Sequence, residues 1–276
     1  MTSSYDLHCH STASDGALTP ADLVRRAAAH GVRHLALTDH DTVSGIAEAR
    51  QTAKHLNLNL IPGVEISVTW ENKCFHILGL GIDPQCDLLQ RGLKGLQRLR
   101  AQRAEQMAAS LEKHGITGSL EAVRKMAGSG MITRTHFARF LVARHYAPSV
   151  AEVFDRYLVR GKPGYVATRW ADLDQAAAWI REAGGVAVLA HPMRYQLTAS
   201  WLRRFLTAFR SAGGAGIEVV SGNSNANQIA TCADYARRYR LLGSVGSDFH
   251  DPAFPWIELG QLAPLPPGVT PVWQVL

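Results

Sequence analysis

Histidines and carboxylates close almost every short apolar run in this chain, and few folds can use that arrangement. Seven such runs, at residues 5–10, 34–40, 60–67, 74–82, 186–191, 216–221 and 242–250, are bounded by Gly, Pro or Asp. Several are separated by helix-like stretches, which predicts parallel strands joined by crossover helices. The first run ends in His8-Cys9-His10 with Asp15 just beyond, and the second in Thr38-Asp39-His40-Asp41. The third delivers Glu65, the fourth carries His76, the fifth ends in His191-Pro192 and the seventh in Ser247-Asp248-Phe249-His250. Six of the seven runs thus present a metal-capable side chain, mostly at the C-terminal end, the face on which parallel barrels assemble their active sites.

Spacing sharpens the reading. Residues i and i+2 of a strand share a face, so His8 with His10 and Asp248 with His250 can each direct two ligands into one cavity. Cys9, between the two histidines, then points away from both. An isolated histidine such as His30, His34, His55, His114 or His145 is better read as an ordinary core or surface residue. Burying the strand-end set without a metal would be very costly. Nine candidate ligands, His8, His10, Asp15, His40, Glu65, His76, His191, Asp248 and His250, exceed what one ion can use and suit two or three. Three divalent cations would outweigh the three carboxylates among them, which calls for an anionic substrate and a metal-bound hydroxide as nucleophile, and favours phosphate esters over amides.

Along the chain, Thr19-Pro20-Ala21-Asp22 supplies an N-cap, a proline at the first helical position and an acid in the first turn, and Gly31 closes the same helix. After the fourth run the pattern changes. Leu96, Leu99, Met107, Ala108 and Leu111 fall at helical spacing, and no strand signal returns before Gly161-Lys162-Pro163-Gly164. Residues 92–167 are therefore expected to form a helical insertion domain between the fourth and fifth strands, with residues 1–91 and 168–276 as the two parts of a barrel. Charge divides along the same line. Residues 91–169 hold 15 Lys and Arg against 5 Asp and Glu, whereas the remainder holds 14 against 18. A basic face of this kind is either a solvated helical surface or a docking surface for phosphates.

Composition sets the remaining bounds. With 46% hydrophobic and 19% charged residues, the chain reads as a globular protein. No apolar run approaches the roughly 20 residues of a membrane span, and the first ten residues lack a signal-peptide pattern. Cys9, Cys74, Cys86 and Cys232 fall at no paired spacing and are read as reduced thiols, so a cytoplasmic location is expected. Gly213-Gly214-Ala215-Gly216 precedes a strand instead of joining strand to helix, so it is not a phosphate-cradling loop. Asp39 and Asp41 are expected to orient His40 or cap the next helix.

Five segments, Asp6-Leu7-His8-Cys9-His10, Thr38-Asp39-His40-Asp41, Gly63-Val64-Glu65-Ile66-Ser67, Ala190-His191-Pro192 and Gly246-Ser247-Asp248-Phe249-His250, resemble the motifs of the PHP (polymerase and histidinol phosphatase) family. Within it, the chain is most similar to nucleoside 3′,5′-bisphosphate 3′-phosphatases and related 5′-to-3′ exoribonucleases. That narrower likeness rests on residues 132–139, 160–166 and 255–260. The resemblance implies a distorted seven-stranded β/α barrel and a trinuclear site. Carried over by position, His8, His10, Glu65 and Asp248 would hold one ion, a bridging Glu65 with His76 and His191 the second, and Asp15, His40 and His250 the third. It suggests manganese; the ligand set alone equally admits zinc or iron.

The function expected is hydrolysis of the 3′-phosphate of a nucleoside 3′,5′-bisphosphate, with 5′-to-3′ exonuclease action on short 5′-phosphorylated RNA as the alternative at the same site. The substrate contacts expected are Arg134, His136, Arg160 and Lys162 from the basic segment, and Ser221 and Asn223 at the end of the sixth run. Partners are then a nucleotide or short RNA, with no membrane and no obligate protein partner. A pure nucleic-acid-binding module would leave the complete ligand set unused. An amidohydrolase would leave the basic segment unexplained, and no lysine is placed to become a carboxylated bridge.

Overall fold

Thr19 caps the first helix as its sequence predicts: its hydroxyl accepts from the Asp22 N–H at 3.1 Å, Pro20 occupies the first turn and Gly31 takes a φ of +82° beyond the end. The structure, a computed structural model, describes residues 3–276. Its first part runs β1 (Tyr5–Asp6), α1 (Pro20–Ala29), β2 (His34–Leu37), α2 (Ile46–Ala53), β3 (Asn59–Trp70) and β4 (Lys73–Leu80). Helices α3 (Asp87–Lys113), α4 (Ser119–Ala127), α5 (Arg134–Ala143) and α6 (Val150–Val153) follow, the last continued by a π-helical turn at Phe154–Leu158. The chain then forms β5 (Ala171–Asp172), α7 (Leu173–Glu182), β6 (Val186–Leu189), α8 (Ala199–Ser211), β7 (Gly216–Ser221), α9 (Ala226–Arg238) and β8 (Leu242–Gly246).

Seven strands lie in the order β1-β2-β3-β4-β6-β7-β8, and the two-residue β5 pairs with β3 off that path. The Leu7 N–H donates to the Val245 carbonyl at 3.0 Å and Cys9 bridges Phe249 in parallel, so the first strand meets the last and the sheet is a nearly closed barrel. The expected all-parallel arrangement needs one correction. β4 runs antiparallel to both β3 and β6, because only Glu71 and Asn72 separate β3 from β4. Both take positive φ, +43° and +62°, the backbone of a two-residue hairpin turn, and no crossover helix fits between them. His76 therefore stands in mid-strand, opposite Ser67, instead of at a strand's C-terminal end.

The apolar core is divided, with three buried clusters in the barrel part and a fourth in the helical segment. The barrel packs Val64, Phe75, Ile77, Phe205 and Phe209 around the sheet. The helical segment packs Met107, Leu111, Phe137, Phe140 and Leu141 among its own helices. Helix α3 belongs to both: Leu89, Leu93 and Leu96 sit in the barrel core, whereas Ala104, Met107 and Leu111 sit in the other. One continuous helix thus carries the basic segment from the barrel wall. Among the described residues no helix is long and apolar enough to cross a membrane.

Candidate metal centre

All nine expected ligands converge at the barrel mouth. Side-chain atoms of His10, Asp15, His40 and His250 lie within 4.8 Å of one another, as do those of His8, His10 and Glu65, and those of His40, Glu65 and His76. Asp248 Oδ1 is 3.2 Å from His8 Nε2 and 3.1 Å from His10 Nε2, and His191 Nε2 is 3.0 Å from Glu65 Oε1. Glu65 lies at the centre and is fully buried, with five histidines, His8, His10, His40, His76 and His191, within 3.4 Å of its carboxylate. The grouping differs from the carried-over one: His10 also joins Asp15, His40 and His250, His40 also joins Glu65 and His76, and Asp248 and His191 stand at the edges of these groups.

The backbone is bent to aim these groups. His191 and Asp248 take φ of +30° and +53°, and Asp41, beside His40, takes +50°. Such left-handed positions are uncommon for residues with a side chain and gather at functional sites. Gly246 is required where it stands, since a Cβ there would meet His8 Cβ at 2.3 Å and Glu218 Oε1 at 2.6 Å.

Several of these atoms face one another without the protons that would join them. His40 Nδ1 and Glu65 Oε2 approach to 2.7 Å without hydrogen-bond geometry, and both are buried without another partner. Asp15 Oδ1 and His191 Nδ1 are likewise buried and unpartnered. His8 Nε2 and His10 Nε2, two nitrogens of one kind, are 3.1 Å apart. Buried polar atoms are almost always satisfied, so orphaned lone pairs converging from imidazoles and carboxylates fit divalent cations. Protonation tells the same story. Burial opposes charge on His76 and His250, but Glu65 brings His76 up to about 10 and Asp15 with Asp248 brings His250 up to about 9. His10, by contrast, is pushed down to about 3 by burial and by His250 and His40. Burial favours a neutral Glu65, yet the surrounding His76, His40 and His8 hold its carboxyl well below the usual range. Protons occupy part of the positive charge that cations would supply.

A cavity of about 140 Å³ opens beside this cluster, lined by Asp15, His40 and His76 on one side and by Arg103, Arg134 and Tyr165 on the other. Among the described residues neither Arg103 nor Arg134 is ion-paired, and Arg103 Nε is buried without a partner. Burial, then Arg134 and Arg100, press Arg103 down to about 9, and burial also lowers Arg134. Arg103 lies over Trp170 and Arg134 over Phe154, with guanidinium-to-ring distances of 5.4 and 5.5 Å. Two half-buried, unpaired guanidiniums call for an anion. Arg100 is different, since its Nε donates to Asp41 Oδ2 at 2.6 Å.

Of the expected substrate contacts, Arg134 alone lines this cavity. Arg160, Lys162 and Asn223 are exposed and lie outside it. His136 is buried and turns its Nδ1 back to accept the Thr133 N–H at 3.1 Å, closing a capping box on α5, so its local role is structural. Ser221 is buried at the end of β7 with its hydroxyl unpartnered. Sequence reasoning missed Arg103, Arg194 and Glu218. Arg194 ion-pairs with Asp248 Oδ2 across the mouth. Glu218 holds His8 Nδ1 at 2.9 Å, the kind of support that orients a ligating imidazole, and accepts the backbone N–H of His191 at 2.5 Å. The alternating inward positions of the sixth apolar run could have flagged Glu218; nothing local marks the two arginines. Cys9 donates to the Ala36 carbonyl at 3.2 Å, away from the cluster, as the strand alternation required.

A β/α barrel whose mouth gathers histidines and carboxylates around a central glutamate defines the class of metal-dependent hydrolases. More narrowly, the chain belongs to the PHP domain family, whose model matches residues 6–188. It is 50% identical over 98% of its length, and 93% of the relative's, to an Escherichia coli protein named 5′-3′ exoribonuclease Rnm. It is 46% identical, over 98% of its length and 95% of the relative's, to a Chromobacterium violaceum protein named 3′,5′-nucleoside bisphosphate phosphatase. A solved structure described as an amidohydrolase from Chromobacterium violaceum, with bound sulfate and no metal, superposes with a TM-score of 0.93 at 45% identity, covering 98% of this chain and 94% of that one.

Proposed function

We propose that this protein removes the 3′-phosphate of nucleoside 3′,5′-bisphosphates, giving a nucleoside 5′-monophosphate and inorganic phosphate. The observation that carries the reading is the pairing of two unlike halves in one cavity: the histidine–carboxylate cluster on one wall and the unpaired Arg103 and Arg134 on the other. Such a cavity suits a substrate with one phosphate at each end. The phosphatase named among the relatives and the bound sulfate of the neighbouring structure support the same reading.

In this reading His8, His10, Glu65 and Asp248, then Glu65, His76 and His191, and then Asp15, His40 and His250 hold two to three divalent ions. Bound there, the ions polarise the phosphoryl oxygens and lower the pKa of water. Imidazole and carboxylate donors without a thiolate suit manganese, with iron and zinc as competitors. Arg103 and Arg134 hold the 5′-phosphate with charge-assisted hydrogen bonds, and Trp170 and Phe154 beneath them keep the guanidiniums in place. Binding energy gathered at that unreacting end fixes the position of the 3′-phosphorus and is expressed in the rate. Arg194, at the rim beside Asp248, is placed to meet the oxygens of the reacting phosphoryl group. Glu218 keeps the His8 imidazole turned toward the cluster and braces the backbone at His191.

The same arrangement accommodates 5′-to-3′ removal of nucleotides from short RNA, because a 5′-phosphate held by Arg103 and Arg134 presents the first phosphodiester where the 3′-phosphate would lie. The exoribonuclease name of the Escherichia coli relative favours that second activity. Four free cysteines, none in a disulfide, suit a cytoplasmic setting. Phosphate release from adenosine 3′,5′-bisphosphate, from AMP and from adenosine 3′-monophosphate tests the assignment. The bisphosphate should react far faster than either monophosphate, and AMP should inhibit. Equal release from AMP and the bisphosphate would overturn it.

A further inference from the structure

The ligand groups at the mouth are supported in two different ways. His8 and His191 lean on Glu218, and His76 on Tyr195, whose hydroxyl accepts the His76 N–H at 2.9 Å; all of these belong to the barrel. Asp15, His40 and His250 stand instead beside residues gripped by the helical segment. Asp15 Oδ2 accepts the Thr133 hydroxyl at 2.9 Å and the Thr135 hydroxyl at 2.8 Å, while Oδ1 is left facing His250 Nε2 at 3.3 Å and His40 Nε2 at 3.9 Å. Asp41, next to His40, takes Arg100 Nε on its carboxylate and Gln97 Nε2 on its carbonyl, at 2.6 and 3.1 Å. Asp251, next to His250, accepts from Arg139 Nη2 at 3.1 Å.

The grip on the Asp15 loop also runs through the backbone. The Met131 N–H donates to the Ala13 carbonyl at 3.1 Å, and a Cβ on Gly130 would stand 2.1 Å from the Thr12 carbonyl oxygen, so only glycine permits that approach. The segment that seizes Asp15 is the one that presents Arg134, which lies between Thr133 and Thr135 and lines the cavity.

We propose that Thr133 and Thr135 are positioning residues for Asp15, and that through them the 5′-phosphate on Arg134 and the ion held by Asp15, His40 and His250 bind cooperatively. The proposal rests on the metal and phosphate assignments made above. One turn of chain carries both contacts, so a phosphate that settles Arg134 settles the hydroxyls that hold Asp15. Linkage makes the effect reciprocal: whatever factor the phosphate adds to the affinity for that ion, the ion adds to the affinity for the phosphate.

Titration of the metal-free full-length protein with Mn²⁺ by calorimetry, with and without AMP, reads this directly. In the unmodified protein AMP should tighten one binding step and adenosine should not. Thr135→Val should weaken that step about 10-fold, as loss of a support to a ligand generally does, leave the other steps in place and abolish the AMP effect. Thr135→Ser and Thr133→Ser keep the hydroxyls and should bind as the unmodified protein does. Arg134→Ala should bind every ion and lose the response to AMP. An AMP effect that survives in Thr135→Val, or a uniform weakening of every step, overturns the coupling while leaving the proposed activity standing. Failure of the unmodified protein to bind Mn²⁺ at all would instead overturn the metal assignment on which it rests.

Discussion

The barrel and the helical segment meet opposite electrostatic problems at one cavity. The barrel buries Asp15, Glu65 and Asp248 among histidines and needs cations. The segment holds Arg103 and Arg134 half-buried and without ion-pair partners, and needs an anion. Neither wall is satisfied alone, and a phosphorylated substrate held against divalent ions satisfies both. On the proposed assignment the two walls should fail differently: damage to the barrel wall should remove the chemistry, whereas damage to the other should remove the substrate's anchor.

The largest effect should follow from the barrel side. Asp248→Ala or His10→Ala removes a donor that the rest of the cluster cannot replace, so metal content should fall by elemental analysis and turnover should drop below detection. Next comes the independence of the helical segment's core. Phe137 is fully buried among the segment's own helices, and Phe137→Ala should cost about 3–5 kcal/mol in denaturant unfolding. If the segment is a separate cooperative unit, the unfolding transition becomes biphasic; a single shifted transition would show that the shared helix α3 couples it to the barrel.

A sharper division is expected from Arg134→Ala, which should lower kcat/KM on the bisphosphate by about 2–4 kcal/mol with metal content unchanged. Glu218→Gln keeps the shape beside His8 but loses the charge, and should weaken metal affinity by roughly 10–100-fold in a metal titration. The smallest change belongs to Arg160→Ala, an exposed position outside the cavity, with less than about 0.5 kcal/mol on either rate or stability. An Arg160 effect as large as that of Arg134 would move the phosphate anchor out of the buried pocket and onto the surface.

What the sequence made legible follows the same division. The barrel ligands could be found because strand alternation is local: His8 and His10 must share a face, and Cys9 must point away. The antiparallel β4 could have been read from the two-residue spacing at Glu71-Asn72, but the ligand at His76 drew it into the parallel pattern. On the helical side the basic composition was plain, yet composition does not distinguish Arg134, which lines the cavity, from Arg160 and Lys162, which do not. Arg103 was hidden for the same reason, since only the packing of α3 beside Trp170 turns it into the cavity, facing the histidine–carboxylate wall. The hold of Thr133 and Thr135 on Asp15 spans more than a hundred residues and has no local trace.

The central claim, that the two walls are completed by divalent ions, is tested most directly by removing them. Protein purified without chelator should contain two to three transition-metal ions per chain by elemental analysis. Exhaustive chelation should abolish phosphate release from adenosine 3′,5′-bisphosphate, and added Mn²⁺ should restore it. Full activity in protein shown to be free of metal would contradict the account.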